Sequence, residues 1–148
     1  MTHPKPTKRP KGKKPSATTA KAKAWKAFSM LIRTRDCLKT TGRPDMGACY
    51  TCGYIYPIGQ LQAGHFVPGR TGANLWDKRG VHAQCYRCNG PLKGNWPEYF
   101  KNMRRDYGDA VVYDLMSKAH IPTLFKTFHY IEMEARFKAE LKEISASG

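Results

Sequence analysis

Two Cys-x-x-Cys pairs constrain the fold of this chain more than any other feature of its sequence. The first pair is Cys49 and Cys52, and the second is Cys85 and Cys88. Thiolates at this spacing are typical ligands of structural zinc, because each pair can direct both sulfurs at one ion. The segment between the pairs is longer than a minimal zinc ribbon requires, so it must hold structure of its own. The four cysteines therefore predict one zinc site that staples a small structured unit.

The number of cysteines bears on where the protein works. The chain has five, and its basic, proline-rich N-terminus lacks the apolar segment of a secretory signal. An odd number of cysteines without such a signal argues against a disulfide framework. We therefore expect a cytoplasmic protein in which Cys37, the cysteine outside the two pairs, is a small buried hydrophobe.

The charge of the chain indicates a polyanionic partner. The net charge is +15, which favours nucleic acid over an anionic membrane surface. The sequence contains no apolar run long enough to span a bilayer. We therefore expect DNA as the partner and no membrane.

Residues 1–20 predict a disordered basic arm, and residues 21–148 a single domain. The arm is rich in proline and small residues and cannot bury a core. It carries six basic residues and no acidic one: Lys5, Lys8, Arg9, Lys11, Lys13 and Lys14. A solvated tail would have this composition, but we favour an arm that releases counterions from DNA and adds affinity without sequence preference.

Four segments have the apolar spacing of α-helices. The first runs from about Thr18 to Leu38, with Ser16 or Thr18 as the N-cap, and its predicted core face consists of Trp25, Phe28, Leu31 and Ile32. The other three helices are predicted over residues 96–107, 109–119 and 122–144. The last of these, opened by Pro122, has an apolar stripe typical of a core face or a dimer seam: Leu124, Phe128, Ile131, Ala135 and Phe137.

Two short strands are predicted between the cysteine pairs. They are residues 61–66 and 81–85, and they are separated by an irregular loop over residues 67–78. Gly90 and Pro91 then mark a turn or a helix start. The order strand, strand, helix indicates an α+β fold, in which a small zinc-stapled ββα-metal core of the HNH type is flanked by α-helices.

The candidate catalytic residues lie within this unit. His65 ends the first strand, and an imidazole has the pKa that suits proton abstraction from water near neutral pH. Asn89 directly follows Cys88 and offers an amide oxygen to Mg²⁺ or Mn²⁺, which prefer oxygen ligands. A lone histidine is more often a hydrogen-bonded core residue, but the position of His65 between the cysteine pairs favours the general base. Zinc is then structural, and catalysis belongs to the second ion.

A second histidine and several basic residues complete the predicted site. His82 lies on the second strand, where a role in holding metal or phosphate and a purely structural role are about equally supported. Basic side chains on the helices and near the second cysteine pair are expected to contact the DNA backbone: Arg33, Arg35, Lys93, Arg104 and Arg105.

Several segments resemble the NinG/Rap family of lambdoid phage recombination nucleases. They are Leu61-Gln-Ala-Gly-His65, Val81-His-x-Gln-Cys85-x-x-Cys-Asn89, Gly94-Asn95-x-x-x-Tyr99 and Trp25-Lys-x-Phe-Ser-x-x-Ile-Arg33-x-Arg35-Asp36. The resemblance covers most of the chain after the basic arm. It implies an HNH-type (His-Me finger) endonuclease that cuts Holliday junctions, D-loops and related branched intermediates, with His65 and Asn89 in its centre. The implied centre is also similar to that of phage junction-resolving enzymes that are zinc-stapled dimers.

The sequence departs from the HNH pattern at two positions. Gly64 stands where many such centres have an Asp or His as a metal ligand, so Asn89 needs another partner: His82, a solvent-filled shell or the scissile phosphate. Gly80 stands where an Asn often braces the loop before the second strand, and Asn74 is a candidate replacement.

The sequence thus favours a Mg²⁺-dependent endonuclease for branched DNA. Two cuts on opposed strands need two active sites, so a symmetric homodimer is expected. The alternative is a non-catalytic zinc-ribbon protein that binds or anneals DNA.

Overall fold

The computed structural model describes residues 15–69 and 72–146 of the chain. Most of the predicted basic arm, residues 1–14, lies outside the described residues. The first helix, α1 (Ala17–Thr41), is capped by the Ser16 hydroxyl, which accepts from the Thr19 amide. It ends at Gly42, whose φ of 75° is the left-handed conformation typical of a helix C-terminus. Residues 17–20, assigned to the arm from the sequence, are thus the first turn of α1, and Ala20 is buried.

A small hairpin carries the first cysteine pair. Its strands β1 (Met46–Ala48) and β2 (Ile55–Pro57) are antiparallel, and the turn between them contains Cys49 and Cys52. Gly53 adopts a φ of 79° and donates its amide to the Cys49 carbonyl at 2.9 Å. This tight turn agrees with the sequence, whereas the two flanking strands were not predicted.

The central hairpin consists of β3 (Leu61–His65) and β4 (Val81–Cys85), which pair antiparallel with Ala63 opposite Ala83. Both strands agree closely with the sequence. Because side chains alternate along a strand, the hairpin has two faces. One face, which includes Ala63, His65 and Val81, packs against α1. The other face presents four residues: Gln62, Gly64, His82 and Gln84.

Short helical segments and three longer helices complete the described part of the chain. Residues 58–60 and 78–80 form 3₁₀ turns before β3 and β4. The α-helices are α2 (Tyr86–Asn89), α3 (Trp96–Tyr107), α4 (Asp109–Ser117) and α5 (Thr127–Ala146). The bounds of α3 agree with those predicted, and α4 ends two residues earlier than expected.

The predicted start of the last helix is wrong. Pro122 does not open a helix but forms an isolated bridge with Gly72, and the Ala73 amide donates to the Ile121 carbonyl at 2.8 Å. These backbone contacts hold the segment extended, so the helix begins only at Thr127.

As a core face, the predicted apolar stripe of α5 is largely wrong. The helix packs on α1 through Tyr130, Met133 and Phe137, and the Phe137 ring lies 5.0 Å from that of Phe28. Phe128 and Ile131, by contrast, are 53% and 49% exposed. The apolar residues of α5 have a spacing that fits two neighbouring faces of the helix. The face with Tyr130 is the one that packs against α1.

A second core lies on the opposite side of the hairpin. It joins α3 and α4 to the residues that follow β3, and its buried members are Phe66, Val67, Tyr99, Met103, Val112 and Leu115. The hairpin is therefore held between two helical layers. Within the described ranges, no helix is both long enough and apolar enough to cross a membrane.

Candidate metal centre and catalytic site

The four paired cysteines form one cluster. Their Sγ atoms all lie within 4.8 Å of one another, and those of Cys52 and Cys85 are 3.9 Å apart. A tetrahedral zinc ion with bonds of about 2.3 Å would separate its sulfur ligands by about 3.8 Å. Since all four thiols are free, the cluster fits a single structural zinc. Cys37 lies apart from it, fully buried between Leu61 and Ala83 as expected.

The electrostatics of the cluster also fit a cation. Burial alone would raise the pKa of the Cys49 thiol, but hydrogen bonds from Thr51 and from backbone amides bring it down to about 6. Burial and the neighbouring sulfurs raise the pKa of Cys52 to about 12. One thiolate therefore forms readily and opposes ionisation of the next, and a bound divalent cation removes this conflict.

The cluster ties the first hairpin to the end of β4. Cys49 and Cys52 come from the turn between β1 and β2, Cys85 ends β4, and Cys88 lies in α2. The Tyr50 amide donates to the Ala83 carbonyl at 2.8 Å, and the Gly94 amide to the Cys88 carbonyl at 2.7 Å. Zinc at this point would fix the position of Asn89, the residue after Cys88.

His65 is partly buried at the end of β3, on the face that packs against α1. Its ring stacks on Trp25 with centroids 5.3 Å apart, and Nε2 lies 3.0 Å from the Leu75 carbonyl oxygen. Because a carbonyl only accepts hydrogen bonds, this contact places the proton of the neutral ring on Nε2 and leaves Nδ1 as the basic nitrogen. A ring in this tautomer accepts protons at Nδ1.

The loop before β4 positions this carbonyl. Asn74, which precedes Leu75, is buried, and its Nδ2 donates to the Leu115 carbonyl of α4 at 2.7 Å. Gly80 contributes its carbonyl, which accepts from the Phe66 amide. Asn74 is therefore placed to brace the loop that contacts His65.

Asn89 lies beside the residue that precedes His65. Its Nδ2 donates to Gln62 Oε1 at 2.7 Å, and its Oδ1 lies 3.0 Å from the point that a Cβ on Gly64 would occupy. The amide oxygen is thus directed at the strand. Gln62 also lines a surface cleft of about 340 Å³ with Tyr56, Tyr86 and Arg87.

The side chains of His65 and Asn89 lie on opposite faces of β3. His65 faces α1, whereas Asn89 contacts Gln62, which shares the other face with Gly64. Asn89 Oδ1 lies next to Gly64, and His65 is the following residue of the strand. The backbone of β3 therefore runs between the two groups.

His82 lies in the interior and is only 2% exposed. Its ring nitrogens contact the Tyr99 hydroxyl at 3.2 Å and the Tyr107 hydroxyl at 2.8 Å, and its ring stacks on Tyr50 at 3.9 Å. Burial lowers the pKa of His82 to about 4, so the ring is neutral at pH 7. These contacts are those of a structural residue that joins α3 to the hairpin.

Two of the arginines assigned to DNA make internal contacts. Arg35 donates to the carbonyls of Lys78 and Val81 at 2.9 and 2.8 Å and pairs with Asp36. Arg33 donates to the Ile58 carbonyl at 3.2 Å. Both guanidinium groups therefore join α1 to the segments next to the hairpin.

The other three basic residues lie at the surface. Lys93 is exposed in the turn before α3. Arg104 pairs with Asp109 and Arg105 with Asp106, and both arginine side chains are more than half exposed. Such exposed pairs are weak, so these cations remain accessible to a phosphate.

Gln84 and Gln62 are neighbours of Asn89 that the sequence interpretation missed. The alternation of side chains in β3 and β4 could have placed both on the face of Gly64. Gln84 also touches the cysteine cluster indirectly, because its Nε2 donates to Thr51 Oγ1, which lies 3.4 Å from Cys49 Sγ.

Fold and site together define a small α+β protein whose central hairpin is held by a four-cysteine cluster able to bind zinc. A protein-family model described as Bacteriophage Lambda NinG protein matches residues 5–146. This match spans nearly the whole chain, so the protein belongs to the NinG family, as the sequence resemblance indicated. No curated protein and no solved structure matches the chain.

Proposed function

We propose that this protein is a divalent-metal-dependent endonuclease that cleaves branched DNA, such as Holliday junctions and D-loops, in phage recombination. The observation that carries the proposal is the position of Asn89 Oδ1 beside Gly64, the residue directly before His65. A candidate base and a candidate metal ligand therefore lie at the end of one strand, on a hairpin stapled by four cysteines. Membership of the NinG family supports the phage context.

His65 has the role of general base in this proposal. The Leu75 carbonyl holds Nε2–H, so Nδ1 accepts the proton of the attacking water. The water oxygen forms a bond to phosphorus, one ester P–O bond breaks, and the leaving oxygen takes a proton from solvent. Stacking on Trp25 limits rotation of the ring.

Asn89 has the role of metal ligand. Its bond to Gln62 turns Oδ1 toward the strand, and amide oxygen is a donor that suits Mg²⁺ or Mn²⁺. The bound ion would stabilise the charge that develops on the phosphate oxygens. Since the base and the ligand lie on opposite sides of β3, the scissile phosphate in this proposal lies across the end of the strand at His65.

The basic residues account for binding of branched DNA without reading of its bases. A net charge of +15 attracts the phosphate backbone, and Lys93, Arg104 and Arg105 are exposed cations of the domain. Backbone contacts carry little sequence information, so selection falls to the shape of the DNA. The basic arm adds affinity of the same kind.

A homodimer in the bacterial cytoplasm follows from this activity. Resolution of a four-way junction needs two cuts and hence two active sites. The side chains of Phe128 and Ile131 on α5 are about half exposed, and they suit an apolar contact between two copies.

One observation favours the alternative, a non-catalytic zinc protein that binds or anneals DNA. His65 is partly buried, stacked and hydrogen-bonded, which are also the features of a structural histidine. The two functions differ in whether loss of the imidazole affects cleavage or only stability.

The test compares His65→Ala and Asn89→Ala with wild type on a labelled four-way junction in Mg²⁺. We expect both variants to bind the junction with affinity close to that of wild type and to cleave it at least about 100-fold more slowly. His120→Ala, which changes an exposed histidine with no assigned role, is the matched control and should cleave normally. Full cleavage by His65→Ala would remove His65 from the reaction, and binding by wild type without any cleavage would favour the alternative.

A further inference from the structure

Gln84 is a fully buried amide with one unsatisfied atom. Its Nε2 donates to Thr51 Oγ1 at 3.1 Å and to the Gly94 carbonyl at 3.0 Å. Because a carbonyl only accepts, these contacts fix which end of the amide is nitrogen. Its Oε1 is buried and has no hydrogen-bond partner among the described residues. Such a group is unfavourable in a protein interior unless a donor or a cation contacts it.

The unsatisfied oxygen points at Gly64. A Cβ at that position would lie 1.8 Å from Gln84 Oε1, so no side chain fits there while Gln84 keeps its place. Glycine is required here because a side chain would collide with Gln84. Its backbone conformation does not require glycine, since the φ of Gly64 is not positive. The amide oxygen of Gln84 thus takes the position where the side chain of residue 64 would begin.

Asn89 directs a second oxygen at the same point. Its Oδ1 lies 3.0 Å from the Cβ position of Gly64, and its Nδ2 is held by Gln62 Oε1 at 2.7 Å. Gln84 is anchored through its nitrogen by the Gly94 carbonyl and Asn89 by its amide contact with Gln62, and the two oxygens converge. Two carbonyl oxygens that face one another repel unless a cation or a donor lies between them.

We propose that Gln84 Oε1 and Asn89 Oδ1 are paired oxygen ligands for one divalent cation of the magnesium class, bound beside Gly64. The proposal rests on the nuclease function proposed above and supplies the partner that Asn89 needs. Gln84 brings an oxygen from the neighbouring strand to the side where Gly64 has no side chain. Hard cations accept such amide oxygens together with water and phosphate.

The cysteine cluster helps to position this pair. Thr51 Oγ1 accepts from Gln84 Nε2 and lies 3.4 Å from Cys49 Sγ, so the Thr51 hydroxyl can donate to the sulfur when Cys49 is a thiolate. Zinc binding at the cysteines would hold Thr51, and through it the orientation of Gln84. The structural ion would thus support the second one.

The first experiment uses wild-type protein with a full complement of zinc and follows the side-chain carbonyl carbons by NMR during a titration with MgCl₂. We expect the signals of Gln84 and Asn89 to shift together on one binding curve, while that of Gln60, which is exposed, does not. A shift of Asn89 alone, or of neither residue, would overturn the assignment of Gln84.

The second experiment measures Mn²⁺ affinity by calorimetry in Gln84→Leu and Gln84→Glu, with zinc content and thermal unfolding as checks on the fold. Gln84→Leu should lose affinity by about tenfold or more, whereas Gln84→Glu, which keeps an oxygen donor, should retain it. Equal affinity in wild type and Gln84→Leu would contradict the proposal. If Gln84→Leu fails to fold, the wild-type titration decides.

Cleavage by wild type separates this inference from the function on which it rests. If wild type cuts a four-way junction in Mg²⁺ and Gln84 does not respond to the ion, the nuclease function stands and the ligand pair is wrong. If the two carbonyl carbons shift but no branched DNA is cut, the cation site stands and the nuclease proposal fails.

Discussion

His82 illustrates how single polar residues hold the two layers of this protein together. It sits on β4, and both of its ring nitrogens contact tyrosine hydroxyls of α3. Burial, the largest cause, lowers its pKa to about 4 from an ordinary value of 6.5. The folded protein therefore excludes a proton that the unfolded chain accepts.

This difference predicts that the protein loses stability as the pH falls from 6.5 to 4. The contribution of His82 is present above pH 6.5, because both states are then neutral, and it declines as the unfolded state becomes protonated. At pH 5 we expect a free energy of unfolding about 2 kcal/mol lower than at pH 8 from this group. Urea unfolding at several pH values measures it.

The matched variants for this prediction are His82→Gln and His120→Gln. His82→Gln lacks the titrating ring but shares any loss of zinc at low pH, so its free energy of unfolding should depend less on pH than that of wild type. His120→Gln should behave as wild type. Equal pH dependence in wild type and His82→Gln would show that burial of His82 does not drive the effect.

For single residues, the sequence predicts the role of the paired cysteines but not the hydrogen-bond partners of the polar side chains. The pairing of Cys49 and Cys52 with Cys85 and Cys88 follows from spacing, because thiolates at this spacing share one ion. The partners of Gln84 and Arg35 come from distant segments, such as Thr51 and Lys78. Contacts of this kind depend on how the elements pack, which local patterns do not contain.

At the scale of elements, α1 is the support on which the hairpin is built. Arg35 donates to two backbone carbonyls next to and within β4, and Asp36 accepts from the Ala83 amide at 2.7 Å. Among the residues that the structure describes, the outer edge of β4 has no neighbouring strand along it. Side chains of α1 therefore form hydrogen bonds with the Val81 carbonyl and the Ala83 amide at that edge. Arg35, predicted from the sequence to contact DNA, therefore joins α1 to β4 and stabilises the fold.

Two arginine substitutions should separate folding from DNA binding. Arg35→Ala removes two partly buried hydrogen bonds to backbone carbonyls and the pair with Asp36, and we expect it to lower the free energy of unfolding by about 2 to 4 kcal/mol. Arg105→Ala removes an exposed charge, so stability should change by less than about 0.5 kcal/mol. The salt dependence of DNA binding, as the slope of log K against log salt, should fall by about 1 in Arg105→Ala.

Thermal unfolding and binding titrations at several salt concentrations measure these effects. Wild-type stability in Arg35→Ala would mean that its contacts with Lys78 and Val81 contribute little. A salt slope in Arg105→Ala equal to that of wild type would exclude Arg105 from contact with phosphate.

The cysteine cluster gives a second prediction for the elements. Wild type should contain about one zinc per chain, and Cys85→Ser should contain almost none, since loss of one thiolate opens the site. Cys37→Ser is the matched control, because Cys37 is buried away from the cluster, and it should keep its zinc. Metal analysis of purified protein measures all three, and a zinc-free wild type of full stability would contradict the staple.

Strong periodicity allowed some elements to be predicted, and tertiary contacts decided the rest. The helix over residues 96–107 and both central strands agree with the structure, because their apolar spacing leaves one arrangement. The strands β1 and β2 are three residues each and are too short for a periodic signal. The start of α5 is set by the bridge between Gly72 and Pro122, a contact between distant segments.

At the scale of the molecule, two helical layers enclose a hairpin whose far end carries the cysteines. One layer, of α1 and α5, contacts the face of His65, and the other, of α3 and α4, contacts the face of His82. The candidate base and the candidate cation ligands therefore lie on different sides of the hairpin. The proposed catalysis requires that DNA reach both sides of the hairpin where β3 ends.

Cleavage of defined DNA substrates tests this account most directly. Wild-type protein with bound zinc is incubated with linear duplex, forked, D-loop and four-way DNA, each with and without Mg²⁺, at concentrations where a mobility-shift assay shows binding. We expect Mg²⁺-dependent cuts in the branched substrates and little cutting of the linear duplex. Bound but uncut branched DNA in Mg²⁺, or equal cutting of all four substrates, would contradict it.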